Sequence, residues 1–139
     1  MTIANQEDDR PPNRRELKFR QLPGPYAIVR LAPESPIPVW ATKGDFTSIT
    51  RTADELSIVC LADNLPRDVD SPHRWFCLKL EGLFPFTQTG VLLSFIEPLS
   101  TNHVPIFAIS TYDTDYVLIQ EEFAGAALQL LQAAGHELH

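Results

Sequence analysis

The sequence predicts an α+β protein made of two small lobes, and three observations carry that prediction. Short runs with alternating or β-branched apolar residues recur along the 139 residues, two stretches of helical spacing lie between such runs in the second half, and a polar segment bracketed by Pro66 and Pro72 divides the chain. The predicted parts are a polar, disordered leader over 1–15, a degenerate lobe over 16–66 and a complete lobe over 73–139.

In the second lobe, Trp75 to Gly82 reads as a strand with Phe76, Leu78 and Leu80 on one face and Cys77, Lys79 and Glu81 on the other. Leu83-Phe84-Pro85-Phe86 cannot continue it through its proline. From Thr87 the spacing turns helical, with Val91, Leu92, Phe95, Ile96 and Leu99 on one stripe; Pro98 predicts a kink or an early end, because it removes a backbone hydrogen bond. Ile106–Tyr112 and Asp115–Gln120 then read as strands joined by Asp113-Thr114. That pair suits a two-residue hairpin turn poorly, since a β-branched residue resists positive φ, so a strained or ligand-supported turn is expected. Phe123, Ala127, Leu130, Leu131 and Ala134 share one face of a last helix, with Glu121 and Glu122 at its positive end and Gly135 as its C-cap. A short strand over His136–Leu138 completes the order βαββαβ. The simplest fold for that order is ferredoxin-like: four antiparallel strands with both helices on one face.

The first lobe is a worn version of the same order. Tyr26–Leu31 is a strand; Pro33, Pro36 and Pro38 leave room for only a short helical turn before Gly44; Phe46–Thr52 and Leu56–Leu61 form a hairpin. Ile49 to Val59 aligns with Ile109 to Ile119 as a weak internal repeat.

Charge and motif content exclude several functions. A net charge of −7 opposes nucleic-acid binding, which needs a basic face to displace counterions. The N-terminus lacks the apolar core of a signal peptide and no run of eighteen apolar residues occurs, so the expected location is the cytoplasm, away from membranes. Cys60 and Cys77 sit in apolar runs without C-x-x-C spacing and read as buried core thiols. Nucleophile-elbow, phosphate-loop and H-E-x-x-H motifs are absent, and in a strand His136 and His139 would point to opposite faces. The expectation is a protein that is not an enzyme and holds neither a metal nor a cofactor.

Ser110-Thr111-Tyr112-Asp113-Thr114-Asp115-Tyr116-Val117-Leu118-Ile119, preceded by Thr89-Gly90-Val91-Leu92 and by Glu55-Leu56-Ser57-Ile58-Val59-Cys60, resembles the tandem ACT-domain proteins related to the CASTOR-type cytosolic arginine sensors. The resemblance covers roughly Tyr26 to Glu137. It implies two ACT lobes, a regulatory fold that binds an amino acid and commonly forms a homodimer, and a pocket matching Gly90, Thr111, Tyr112, Thr114 and Asp115. It does not imply arginine. This chain has one pair of lobes where those relatives have two, and Thr114 stands where the arginine sensor has an aromatic residue.

The residues of that patch make chemical sense on their own terms. A helix opening at Thr89, Gly90 and Val91 presents unpaired N–H groups and a positive dipole to a carboxylate, with Gly90 allowing close approach. Asp113 and Asp115 offer anionic acceptors, and Ser110, Thr111 and Thr114 offer hydroxyls, suited to an amino group. The same residues also cap helices and build turns in proteins without ligands. The expected function is therefore an amino-acid-binding regulatory module, with a ligand-free assembly or protein-interaction module of the same fold as the alternative.

Overall fold

The computed structural model describes residues 15–82 and 89–139. The leader prediction for residues 1–14 and the Leu83-Phe84-Pro85-Phe86 interruption lie outside the described residues. Arg15, the last residue assigned to the leader, is buried, and its guanidinium donates a hydrogen bond to the Thr89 carbonyl. The described chain divides into two compact units, residues 23–77 and residues 15–22 with 78–139.

In the first unit, β2 (Tyr26–Leu31), β3 (Ser48–Arg51) and β4 (Leu56–Leu61) form an antiparallel sheet in the order β3-β4-β2. Ala27 and Val29 of β2 and Leu56, Ile58 and Cys60 of β4 bury one face under Ala41, which comes from the 3-10 turn Val39–Thr42. The prolines before Val39 leave this single turn where the complete lobe has a helix. Tyr26 packs the other face, edge-on to Phe46 with ring centroids 5.8 Å apart. The Pro66–Pro72 segment is no loose tether, since Val69 packs against the Ala27–Cys60 core.

The second unit contains the predicted order βαββαβ: β5 (Trp75–Leu80), of which Leu78–Leu80 belong here, then α1 (Val91–Ser100), β6 (Phe107–Ser110), β7 (Asp115–Gln120), α2 (Ala124–Ala133) and β8 (Glu137–Leu138). Its sheet departs from the predicted four antiparallel strands. A further strand, β1 (Lys18–Gln21), lies between β5 and β8, antiparallel to the first and parallel to the second, giving the order β6-β7-β5-β1-β8. Residues 16–22, which the sequence reading places with the first lobe, thus pair within the second unit. Both edges of β1 are satisfied: the Lys18 carbonyl accepts from Glu81 N at 2.9 Å, and the Leu17 and Phe19 carbonyls accept from Glu137 N and His139 N at 2.8 Å each. Phe19 is the one buried side chain of β1 and meets Phe95 of α1 edge-on at 5.2 Å.

Helix α1 passes through Pro98 and ends only at Ser100. Pro98 has no N–H to give to the Ser94 carbonyl four residues back. That carbonyl is instead met by His136 Nε2 at 2.9 Å, while His136 Nδ1 accepts the Leu17 amide at 3.0 Å. Because Leu17 N–H can only donate, Nδ1 is the bare nitrogen and Nε2 carries the proton. Burial depresses the His136 pKa below its ordinary value, against the opposing pull of the Ser94 carbonyl and Glu16. His136, predicted within a strand, lies just before β8, in the cap of α2. There the Gly135 amide bonds to Gln132 O at 3.0 Å and the His136 amide to Leu131 O at 3.0 Å, with Gly135 at φ +95°.

Candidate functional site

The predicted turn at Asp113-Thr114 is displaced by one residue. Strand β6 ends at Ser110, and Thr111 and Thr114 close the hairpin around Tyr112 and Asp113. Thr111 N donates to the Thr114 carbonyl at 2.9 Å, Thr111 Oγ1 donates to the same oxygen at 3.0 Å, and Thr114 N reaches back to Thr111 Oγ1 at 3.4 Å. These side-chain bonds stand in for a positive-φ turn: no residue of the loop has a positive φ, so the strain expected of a threonine at its centre does not arise. Thr114 is buried and its hydroxyl donates to the Leu80 carbonyl at 2.9 Å, tying the hairpin to the end of β5.

That tie forms one wall of a cleft of about 260 Å³, lined among the described residues by Lys79, Glu81, Gly82, Thr111, Asp113, Thr114 and Tyr116. Its place on the sheet follows from register. Phe19 points at α1, and its direct partner Leu80 shares that face, so Lys79 and Glu81 project from the opposite, helix-free face. Glu81 pairs with Arg20, Oε1 to Nε at 2.9 Å. Lys79 and Asp113 make an ion pair neither with each other nor with another described residue.

Of the predicted site residues, Thr111, Asp113 and Thr114 line this cleft and the others do not. Ser110 Oγ donates to Asp115 Oδ1, a bond across the last strand pair of the hairpin. Tyr112 stands at the tip, 81% exposed. Thr89 spends its carbonyl on Arg15, and Val91 is buried in the core. Gly90 adopts φ +78° at the start of α1, a conformation that itself favours glycine, and its carbonyl accepts from Ser94 N at 3.0 Å and Ser94 Oγ at 2.8 Å. The sequence reading missed Lys79, Glu81, Gly82 and Tyr116. The alternation of β5 already set Lys79 and Glu81 on one face, and that was the available signal.

The described residues hold no cluster of three or more His, Cys, Asp or Glu arranged for a metal ion, and no helix among them is long and apolar enough to cross a membrane. Cys60 and Cys77 are both buried and unbonded to each other, and burial pushes the Cys77 thiol up to about 12, which leaves it protonated at neutral pH.

Comparison with known proteins places these observations. A family model for the ACT domain matches residues 70–133, and a separate model for an N-terminal domain matches residues 24–68. The X-ray crystal structure of a protein from Agobacterium tumefaciens is 47% identical, covering 90% of this chain and 93% of that one, with a TM-score of 0.85. A protein of unknown function from Vibrio cholerae, described as a possible transport protein, shares the fold at 17% identity and a TM-score of 0.70, over 92% of this chain and 93% of its own.

Proposed function

Because the chain belongs to the same family as the Agobacterium tumefaciens protein and carries an ACT domain over residues 70–133, we propose that it is a regulatory protein whose ligand is an amino acid. The observation that carries this reading is the cleft beside Thr114. It offers one ammonium, two carboxylates and hydroxyl groups within about 260 Å³, a mixed-charge set on the scale of a small zwitterion. The hairpin half of the sequence patch, Thr111, Asp113 and Thr114, supplies three of its walls. We read residues 23–77 as a degenerate lobe of the same kind, supported by the like closure of the two hairpins at Thr52 and Thr111.

The protein works by binding rather than by chemistry on its ligand, acts in the cytoplasm and pairs with a second copy of itself. The pairing is motivated by sheet edges that a small lobe leaves uncovered, β8 being two residues long and exposed. A thermal-shift series with the twenty amino acids tests the central claim. A ligand at one hundred times its Kd should raise stability by about 2.7 kcal/mol, and a melting temperature unmoved by every amino acid at millimolar concentration would refute the sensor reading. That outcome would favour a protein-interaction module, for which the 81% exposure of Tyr112 at the hairpin tip is the supporting observation.

A further inference from the structure

We infer that the cleft selects a neutral α-amino acid as its zwitterion, the carboxylate on Lys79 and the ammonium on Asp113; this rests on the amino-acid reading above. Three formal charges line the cleft, Lys79, Glu81 and Asp113, and that of Glu81 is already offset by the Arg20 guanidinium at 2.9 Å. One cation and one anion remain. They come from different elements, Lys79 from β5 and Asp113 from the hairpin loop, and no ion pair closes between them. Two opposite charges held apart on the walls of one cleft are the complement of a molecule that carries an ammonium and a carboxylate on one carbon. Each would then be met by a charge-assisted hydrogen bond.

The remaining lining sets the rest of the ligand. The Thr114 hydroxyl is committed to the Leu80 carbonyl and Thr111 Oγ1 donates to the Thr114 carbonyl, so neither has a proton to give. Thr111 Oγ1 retains acceptor capacity, which suits a hydroxyl or amide on the ligand. A third charge on the ligand has no unspent partner. An acidic side chain would face Glu81 and Asp113, and a basic one would meet a Glu81 carboxylate whose charge Arg20 already offsets at 2.9 Å. The class is therefore a small neutral amino acid, aliphatic, hydroxylated or amide-bearing, in preference to arginine, lysine, aspartate or glutamate.

Calorimetric titration of the full chain tests this, using glycine, L-alanine, L-serine and L-glutamine against L-arginine and L-glutamate. N-acetyl-L-alanine and L-alaninamide each remove one end of the zwitterion. The expected result is binding of at least one neutral amino acid and of neither charged one. Acetylation or amidation should weaken binding by about tenfold or more, and so should Lys79→Met and Asp113→Asn, with Lys43→Met unchanged as a control in the first unit. If a neutral amino acid binds and the two cleft variants bind it as tightly as the parent chain, the assignment of Lys79 and Asp113 is wrong while the sensor reading stands. Equal affinity for the acetylated or amidated analogue overturns the zwitterion claim without relying on any variant. Tighter binding of arginine or glutamate overturns the charge count. Binding of no amino acid refutes both this inference and the function proposed above.

Discussion

In hairpin β3–β4, the Thr52 hydroxyl accepts the amides of Asp54 at 3.1 Å and Glu55 at 3.2 Å, and the Thr52 amide donates to the Glu55 carbonyl at 2.9 Å. In hairpin β6–β7, Thr111 does the same work, its hydroxyl taking the Thr114 amide and its own amide reaching the Thr114 carbonyl at 2.9 Å. The closure repeats; the anchoring does not. The first loop is held from its own sheet, by Arg30 Nη2 on the Asp54 carbonyl at 2.9 Å. The second is held by the side chain at its fourth position, where Thr114 is buried and reaches Leu80, and Glu55 takes the corresponding place in the first. The fourth position thus distinguishes a loop pinned by a neighbouring arginine from a loop tied to Leu80 at the wall of a cleft.

The largest test of this contrast concerns the units that carry the hairpins. The first draws its strands from residues 23–77, whereas the second depends on β1. Phe19→Ala should cost about 3–5 kcal/mol, since the ring is fully buried against Phe95. Amide exchange should show the loss in β5–β8 and leave β2–β4 protected; uniform loss across both would mean that the units unfold as one. Next in size, Thr114→Val keeps the β-branched shape and strands a buried carbonyl, costing about 1–3 kcal/mol in urea unfolding. Glu55→Val should move stability by no more than about 0.5 kcal/mol, and equal costs for the two would erase the distinction. Thr52→Val and Thr111→Val should each cost about 1 kcal/mol, and a clear inequality would show that the shared closure is only geometric.

The smallest effect is one of pH. His136 of the second unit is buried and its pKa is lowered, while His73 of the first is exposed. Above the unfolded value of 6.5, neither state binds this proton and the contribution is flat. As pH falls below 6.5 the unfolded chain takes up the proton first, so stability drops until the folded pKa is reached. A melting temperature that falls between pH 7 and pH 5, with part of that slope lost in His136→Gln, is the expected result; an unchanged slope in the variant would assign the pH dependence to carboxylates.

Patterns that repeat along the chain were legible in the sequence, and contacts between distant segments were not. Val91, Phe95 and Leu99 mark the buried face of α1, and Gly135 ends α2, because each is dictated by neighbours a turn away. Strand β1 escaped notice because Phe19 is its only buried side chain and its partners, Leu80 and Leu138, lie far along the chain. The internal repeat was visible but one residue out: the alignment that matches Ile49 with Ile109 should set Thr52 on Thr111, since the hydroxyl that closes each loop defines the register more sharply than the apolar residues beside it. Pro98 was rightly awkward. The sequence shows a carbonyl losing its donor, but only the fold shows that His136 replaces it.

The position of β1 also bears on how the chain can be made. On a ribosome, Lys18–Gln21 leaves the tunnel ahead of both its partners: β5 follows some sixty residues later and β8 emerges only with Leu138. Residues 23–77 can settle while synthesis continues, but β1 must wait, with both hydrogen-bonding edges open, for strands not yet translated. A fragment cut to the ACT match at residues 70–133 would lack both β1 and β8 and would bare the Leu78–Leu80 edge to other chains.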